Sequence, residues 1–560
     1  MEKKISGLLY SQIGYDLHDP KRAVVRESEK KYGKLTFEIL EYKTLKPVYN
    51  SEAECWGEKW GSFWWVLDFT ELNVKGEYII KVYEASVLIY QSEAIEIAEW
   101  LLWNKTVPMV LYTQFEERKR LARNGNGWRD CGTEWREVSS ICGGIIGLAD
   151  MIELASPLFD TEETAFVMEQ LKTGCEYLCL CQERAADLGY PAGCVTHEFP
   201  GYMNIIPGDT LASIVSWSKT ARLIYEHDRE ASNKFLSCAE SAYQFILNGC
   251  KPHCADGFSS INHGAQEGFI KPDEFMTRDL FFKLWGAYEL YLAGKRQYKD
   301  DIFKFADEAV ARQIPKEKSE GGLYGHFYTF GAEYNLSEKS NVHHHVGHDT
   351  GGIYPHYIVP LMHICGHFYQ HENVSKWRGC VENFAYGYLL PACEANPFRL
   401  LPVGYFEGHG LLWFCGPWHG INATYGYAAT LALNLEGFCN DMRFRDIAVS
   451  QLQWIAGLNS GNTKKSFDGC VLWSEDIPDG TAVPMSQIDG VGRRYVKSWS
   501  GIPGSIDNGF SANIQFTHGT PNSVENDVPV YYCDEDWVPH SGGWLGALGN
   551  LFNRKRFRKP

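Results

Sequence analysis

The hydrophobic period changes near residue 100, and no other feature of the sequence constrains the fold as strongly. Before residue 100, short runs alternate apolar with other residues, as at positions 35–39 and 78–82. After it, apolar residues recur every three or four positions, as in Ile214, Trp217, Ala221 and Ile224. A period of two is typical of half-buried strands, and a period near 3.6 is typical of amphipathic helices. The sequence therefore predicts a small antiparallel β-sandwich followed by a long helical region.

Long connections separate the predicted helices. The connections at 187–209, 250–274, 314–356 and 459–540 are rich in Gly, Asp, His and aromatic residues. Loops that carry such side chains on a rigid scaffold are common places for binding and catalysis. We expect paired helices arranged as a toroid, with the functional site among the loops at one end.

Composition excludes several classes of protein. Lys and Arg total 53 against 70 Asp and Glu, a formal net charge of -17, which argues against a nucleic-acid partner. The basic run at 554–559 is interpreted as a solvated tail. Apolar runs are too short for a membrane span of about 20 residues, so we expect no membrane partner. The 17 cysteines lack framework spacing and no secretory apolar region opens the sequence, which predicts reduced thiols and a cytoplasmic protein.

The segment 533–548 carries the clearest chemical signal. Asp534, Glu535 and Asp536 crowd together beside Trp537, just before a helix predicted to begin near Ser541. Crowded carboxylates repel each other and apolar surroundings disfavour ionisation, so both effects raise a carboxyl pKa towards the range of a general acid. The alternative is an acidic first turn that complements the dipole of the helix.

Three stretches, in order, resemble glycoside hydrolase family 9, a cellulase family. They are residues 11–15 (Ser-Gln-Ile-Gly-Tyr) with 21–25, residues 451–459 with Ser466-Phe467, and the Glu535 segment. In that family the catalytic acid precedes a Gly-Ala-Leu helix by about eleven residues, and Glu535 precedes Gly546-Ala547-Leu548 by the same spacing. The resemblance implies a mostly α fold: an immunoglobulin-like all-β sandwich at 1–98 and an (α/α)6 barrel at 99–560. It also implies hydrolysis of β-linked oligosaccharides with inversion and with Glu535 as the general acid.

The base side departs from the family pattern. An inverting glycosidase needs a second carboxylate to accept the proton of the attacking water. The family supplies it from an Asp-Ala-Gly-Asp motif, which Asp130-Cys131-Gly132-Thr133 replaces here. Threonine has no basic form near neutral pH. Asp130 is the favoured base, Glu134 is an alternative, and a lost base would leave a non-catalytic glycan-binding protein or a phosphorylase that uses phosphate as nucleophile.

Binding contacts are expected from aromatic and histidine residues in the loops. An indole face stacks on the apolar face of a sugar ring, whose hydroxyls take directed hydrogen bonds. The predicted substrate-binding residues are Trp128, Trp537, His540, Trp418, His419 and His344. The family's His-His-Arg motif before the acid is missing, so crystalline cellulose is not the expected substrate. The sequence predicts no cofactor and no metal, because neither the histidines at 343–345 nor the cluster at 250–254 forms a convincing ligand set.

Overall fold

A computed structural model describes most of the chain. The described residues are 5–30, 33–201, 205–250, 274–319, 321–328, 355–402, 404–406, 410–413, 422–463, 477–478, 480–511 and 531–556.

The N-terminal region forms two β-sheets. One sheet has the strand order β1-β3-β7-β6, and the other has the order β2-β10-β8-β4-β5 with β9 paired to β8. The strands are β1 Gly7–Leu9, β2 Tyr15–Asp16, β3 Arg22–Glu27, β4 Leu35–Glu41, β5 Pro47–Glu52, β6 Glu54–Lys59, β7 Ser62–Asp68, β8 Gly76–Glu84, β9 Val87–Gln91 and β10 Ile95–Ala98.

The predicted alternation builds the core of this sandwich. Phe37 of β4 lies opposite Val82 of β8, and Ile39 lies opposite Ile80. All four side chains are buried in one apolar cluster between the sheets. Successive side chains of a strand point to opposite faces of the sheet, so the period of two determines which alternate side chains are buried. The predicted all-β sandwich is confirmed.

Fourteen α-helices are found within the described part of the chain beyond Ala98. They are α1 Leu101–Val107, α2 Gln114–Arg120, α3 Val138–Ala155, α4 Thr161–Asp187, α5 Pro207–Ile224, α6 Arg229–Asn248, α7 Thr277–Leu292, α8 Lys299–Val310, α9 Val359–His367, α10 Val374–Asn383, α11 Leu390–Glu394, α12 Asn422–Cys439, α13 Arg443–Ile455 and α14 Val538–Arg556. Two π-helical segments, Pro108–Thr113 and Phe384–Leu389, join α1 to α2 and α10 to α11.

Six of these helices form a closed inner ring. Contacts run from α3 to α5, α7, α9, α12 and α14, and α14 packs back against α3. The helices α4, α6, α8, α10 and α13 lie outside the ring against these six. The helical toroid predicted from the sequence is therefore confirmed as an (α/α)6 barrel.

Glycines allow the inner helices α3 and α14 to approach closely. A Cβ added at Gly143 of α3 would lie 2.6 Å from the Cβ of Pro539 of α14. Helix α3 is also the one described helix long and apolar enough to cross a membrane, but 78% of its apolar window is buried inside the fold. This burial is typical of a core helix.

The sandwich and the barrel share a buried ionic contact. Lys555 near the end of α14 lies 3.1 Å from Asp16 and 2.7 Å from Asp19, so the interpretation of the basic run as a solvated tail is wrong at this residue. Asp16 also accepts a hydrogen bond from the backbone N–H of Leu102 in the first turn of α1. The Ser-Gln-Ile-Gly-Tyr stretch also contacts the barrel, because Gln12 donates its backbone N–H to the carbonyl of Ala456, the residue after α13, at 2.8 Å.

Two short strand pairs complete the described elements. Strand β11 (Gly404–Phe406) pairs with β12 (Gly410–Trp413), and β13 (Asp507–Ser511) pairs with β14 (Tyr531–Asp536). Strand β14 leads directly into α14, so the last residues of β14 lie at the end of the barrel where the inner helices begin.

Candidate active site

The N-terminal ends of the inner helices α3, α5, α12 and α14 meet at one site. The backbone N–H of Val538, the first residue of α14, donates to the carbonyl of Asp130 at 2.9 Å. The backbone N–H of Val138, the first residue of α3, donates to the carbonyl of His197 at 2.8 Å. The first N–H groups of a helix lack partners within the helix and carry partial positive charge. These ends therefore favour acidic side chains.

Glu535 lies on β14, and a β-bulge aims Asn508 at it. The register places Asp507 opposite Asp536 and Gly509 opposite Cys533, so Asn508 faces two residues of β14. Its side-chain amide donates to Oε2 of Glu535 at 3.1 Å. A bulge re-aims a side chain in this way without breaking the strand pair.

His540 holds Asn508 in place. The backbone N–H of Ala423 donates to Nδ1 of His540 at 2.7 Å, and Nε2 of His540 is hydrogen-bonded to Oδ1 of Asn508. Because Nδ1 accepts, Nε2 carries the proton and donates, so the Asn508 amide group is left to donate to Glu535. This series of hydrogen bonds, formed by the buried side chains of His540 and Asn508, fixes the position of the Glu535 carboxyl.

The pKa of Glu535 is raised from 4.5 to about 7. Burial is the main cause, and the charges of Asp536 and Glu137 add to it, while hydrogen bonds from Trp537 and Asn508 oppose it. A carboxyl with a pKa near 7 is protonated in a large fraction of molecules at neutral pH, which is the requirement for a general acid.

The neighbouring acid Asp536 has a structural role. It points to the other side of β14, is fully buried, and forms an ion pair with the fully buried Arg118 of α2. It also accepts hydrogen bonds from the backbone N–H and the hydroxyl of Ser500 at 2.9 and 2.8 Å. The negative charge of Asp536 is thus compensated by fixed partners, whereas the carboxyl of Glu535 can exchange a proton.

Asp130 lies on the loop before α3 and is 2% exposed. Its Oδ2 accepts the backbone N–H of Glu137 at 2.8 Å. Its Oδ1 is buried and has no hydrogen-bond partner among the described residues. Burial, followed by the charge of Glu137, raises the pKa of Asp130 well above its usual value. A raised pKa makes the ionised Asp130 carboxylate a stronger base, but the carboxylate accepts a proton only at a pH where it is ionised.

Asp130 and Glu535 belong to one cluster. The carbonyl of Asp130 caps α14 three residues after Glu535. The charge of Glu137 raises the pKa of both carboxyls, and the charge of Glu535 reaches Cys131, the residue after Asp130. The structure therefore brings Glu535 and Asp130, the predicted acid and the predicted base, into one cluster.

Thr133 and Glu134 do not supply a carboxylate to this cluster. The Thr133 hydroxyl lies 3.1 Å from the Cys131 thiol and accepts a hydrogen bond from the backbone N–H of Trp135 at 3.3 Å. Both partners belong to the same loop as Thr133. The Glu134 side chain is 71% exposed and pairs with Arg123 at 3.6 Å. The structure does not support Glu134 as the base, because its carboxylate lies in solvent and pairs with Arg123.

A third buried carboxylate, missed in the sequence, lies beside Asp130. Glu137 precedes α3, and its Oε1 is 3.6 Å from Nε2 of His197, whose Nδ1 is 2.7 Å from Asp209 of α5. Burial alone would lower the pKa of His197, but Asp209 and Glu137 outweigh it and hold that pKa well above its usual value. The protonated imidazole therefore bridges two carboxylates. Only the meeting of α3 and α5 reveals this cluster, since its members are up to 72 positions apart in the sequence.

The predicted binding residues have different outcomes. Trp128 is fully buried, donates its indole N–H to Gln170 at 2.9 Å and packs edge-on against Phe115, so the prediction that it contacts substrate is contradicted. His540 is also fully buried and positions Asn508 instead of facing a ligand. Trp537 is partly buried and stacks on His540 at 5.8 Å between ring centroids.

The other predicted binding residues, Trp418, His419 and His344, lie outside the described residues, as do the histidines at 343–345 and positions 251–254. In the part of the chain that is described, no group of three or more His, Cys, Asp and Glu side chains is arranged to hold a metal ion.

A family model covers the sandwich. Residues 8–86 match the model described as "Cellulase N-terminal ig-like domain". A search of curated proteins found no match to this sequence.

Solved structures match nearly the whole chain. A metagenome-derived glycoside hydrolase family 9 endoglucanase superposes with a TM-score of 0.63 at 15% identity, covering 98% of this chain and 99% of that one. A family 9 protein of Bacteroides ovatus gives 0.60 at 14%, covering 98% of each chain. A thermostable endoglucanase of Alicyclobacillus acidocaldarius gives 0.61 at 14%, covering 98% and 99%. These similarities establish a shared fold of a sandwich followed by a helical barrel.

Proposed function

We propose that the protein is a glycoside hydrolase that cleaves β-linked glucans or related oligosaccharides with inversion. The observation that carries the proposal is Glu535, a carboxyl with a pKa of about 7 in the same cluster as the buried Asp130. The fold supports it, because two of the matched structures are described as endoglucanases and a further matched structure holds a cellobiose-like isofagomine.

In this mechanism the two carboxyls act on opposite sides of the glycosidic bond. Glu535 gives its proton to the leaving oxygen while the bond from that oxygen to the anomeric carbon breaks. A water molecule attacks the anomeric carbon from the other face and gives a proton to Oδ1 of Asp130. The bond to the new hydroxyl forms as the old bond breaks, so a β-linkage gives an α-anomeric product.

We also propose a cytoplasmic location, in keeping with 17 cysteines that lack the spacing of a disulfide framework. A hydrolase inside the cell meets short, imported oligosaccharides. Cellotetraose and shorter oligomers are therefore the first substrates to test, ahead of polymeric cellulose.

Matched substitutions separate the two roles. Glu535→Gln should lower turnover of cellotetraose by about 10²–10⁴-fold but spare a dinitrophenyl β-glycoside, whose leaving group needs no proton. Asp130→Asn should impair both substrates, since water must still be deprotonated. Glu134→Gln, which removes a carboxyl that is 71% exposed, is the control.

The anomer released by the parent, followed by NMR at early times, tests inversion. A β-anomeric product would contradict the mechanism. Full activity of Glu535→Gln on cellotetraose would contradict the assignment of the acid.

Thr133 supports a second candidate function, glycan binding without hydrolysis. Position 133 offers only a hydroxyl that is engaged within its own loop. Under this alternative the parent binds cellotetraose without turnover, and Thr133→Asp gains turnover. A sugar phosphate formed on adding inorganic phosphate would instead identify a phosphorylase.

A further inference from the structure

Two tryptophans among the described residues are more than a third exposed, and both lie at the site. Trp499 is 52% exposed and Trp135 is 39% exposed, while the largest fully buried side chains include six tryptophans. Leaving an indole in water forfeits the free energy of burying a large apolar surface. Among the described tryptophans, exposure of this degree occurs only at this site, which indicates a surface that a ligand covers.

Trp499 lies between the strand of the acid and the loop of the base. Its backbone N–H donates at 2.8 Å to the carbonyl of Asp534, the residue before Glu535. Its ring packs on Gly132, two residues after Asp130, so closely that a Cβ at Gly132 would lie 2.6 Å from its Cδ2 atom. Glycine at this position lets the indole lie against the backbone of the loop.

The residues on either side hold Trp499 rigidly. The backbone N–H and hydroxyl of Ser498 donate to Asp489 at 3.0 and 2.9 Å. Those of Ser500 donate to Asp536, which is itself paired with Arg118. An aromatic ring on a fixed backbone loses little conformational freedom on binding, which is the property of a binding anchor.

We propose that Trp499 is a stacking platform for a pyranose ring of the substrate, bound next to the bond that is cleaved. The axial C–H groups of a β-linked glucose unit form an apolar face that matches the exposed part of the indole, while its equatorial hydroxyls remain free for hydrogen bonds. The inference rests on the proposed function and assigns one specificity-determining residue of the same site.

Binding is best measured without turnover. In the Glu535→Gln protein, Trp499→Ala should weaken cellotetraose binding at least tenfold in calorimetry, equivalent to about 1.4 kcal/mol. Trp499→Phe should restore most of the loss, and Gly132→Ala should weaken binding because its Cβ displaces the indole. Tyr369→Ala, which removes an aromatic that is 68% exposed far along the chain, is the control. Maltotetraose, which is α-linked, should bind more weakly than cellotetraose to the protein with Trp499 intact.

Kinetics in the active protein provide the second readout. Trp499→Ala should raise KM for cellotetraose more than it lowers kcat, because the platform contributes binding to ground state and transition state alike. Equal affinity of the Trp499→Ala and Trp499 proteins would overturn the platform and leave the proposed function standing. Failure of the Glu535→Gln protein to bind cellotetraose, together with no hydrolysis by the parent, would refute the proposed function and the platform with it.

Discussion

The substitution Glu535→Gln should stabilise the protein, and only at high pH. The folded protein holds the Glu535 proton with a pKa of about 7, compared with 4.5 for the usual carboxyl. The contribution of this proton to stability is therefore present at low pH and is lost as the pH rises through about 7. With the carboxyl ionised, the penalty is about 3 kcal/mol, at about 1.4 kcal/mol per pH unit. At pH 5 the penalty is below about 1 kcal/mol.

Glutamine removes this penalty while keeping an oxygen that accepts from Asn508. With an unfolding entropy of about 2.1 cal/mol/K per residue, 3 kcal/mol raises the Tm of a barrel of this size by about 3 °C. Scanning fluorimetry of the parent and Glu535→Gln at pH 5 and 8.5, with Glu134→Gln as control, measures the difference. A Tm offset that is the same at both pH values would refute burial as the source of the raised pKa.

Three further substitutions test the network around the acid. Asn508→Ala removes a hydrogen bond that lowers the pKa of Glu535, so the basic limb of kcat/KM should move to higher pH in a pH–rate profile. Glu137→Gln removes a charge that raises the same pKa, so the limb should move to lower pH; a shift in the same direction as that of Asn508→Ala would contradict the assignment. Arg118→Met leaves Asp536 buried without its cation, and should destabilise the protein by about 3–5 kcal/mol in thermal unfolding.

The fold was readable from the sequence because periodicity reports burial directly. Strands β4 and β8 follow from alternation, and the face of α4 that carries Met168, Leu171, Cys175 and Leu178 is buried as its period indicates. Helix α14 begins at Val538, three residues before the predicted start near Ser541. Its first N–H is capped by the distant carbonyl of Asp130, a partner that no local pattern reveals.

The site was only partly readable because its members come from separate helices. The acidic segment and the Asp130 loop could be found by their local chemistry. The position of Trp128 in a loop predicted contact with substrate, yet its side chain is fully buried in the barrel core. Glu137, Asn508 and Trp499 resemble ordinary loop residues until the ends of α3, α5 and α14 are brought together. An exposed tryptophan can be recognised only after the core has been assigned.

The threonine at position 133 does not leave the surroundings of Asp130 without a second negative charge. Glu137, the residue before α3, supplies a negative charge beside Asp130. The protonated His197 lies between Glu137 and Asp209, so its single positive charge offsets only part of their combined negative charge. Because Glu137 also raises the pKa of Glu535, the acid and the base are coupled through one group. Their protons then belong to the cluster as a whole, so the two limbs of a pH–rate profile should shift together when any member is replaced. In the proposed mechanism, Glu137 supplies the negative charge that a carboxylate at position 133 would otherwise supply, while Asp130, held through Oδ2 by the backbone N–H of Glu137, accepts the proton.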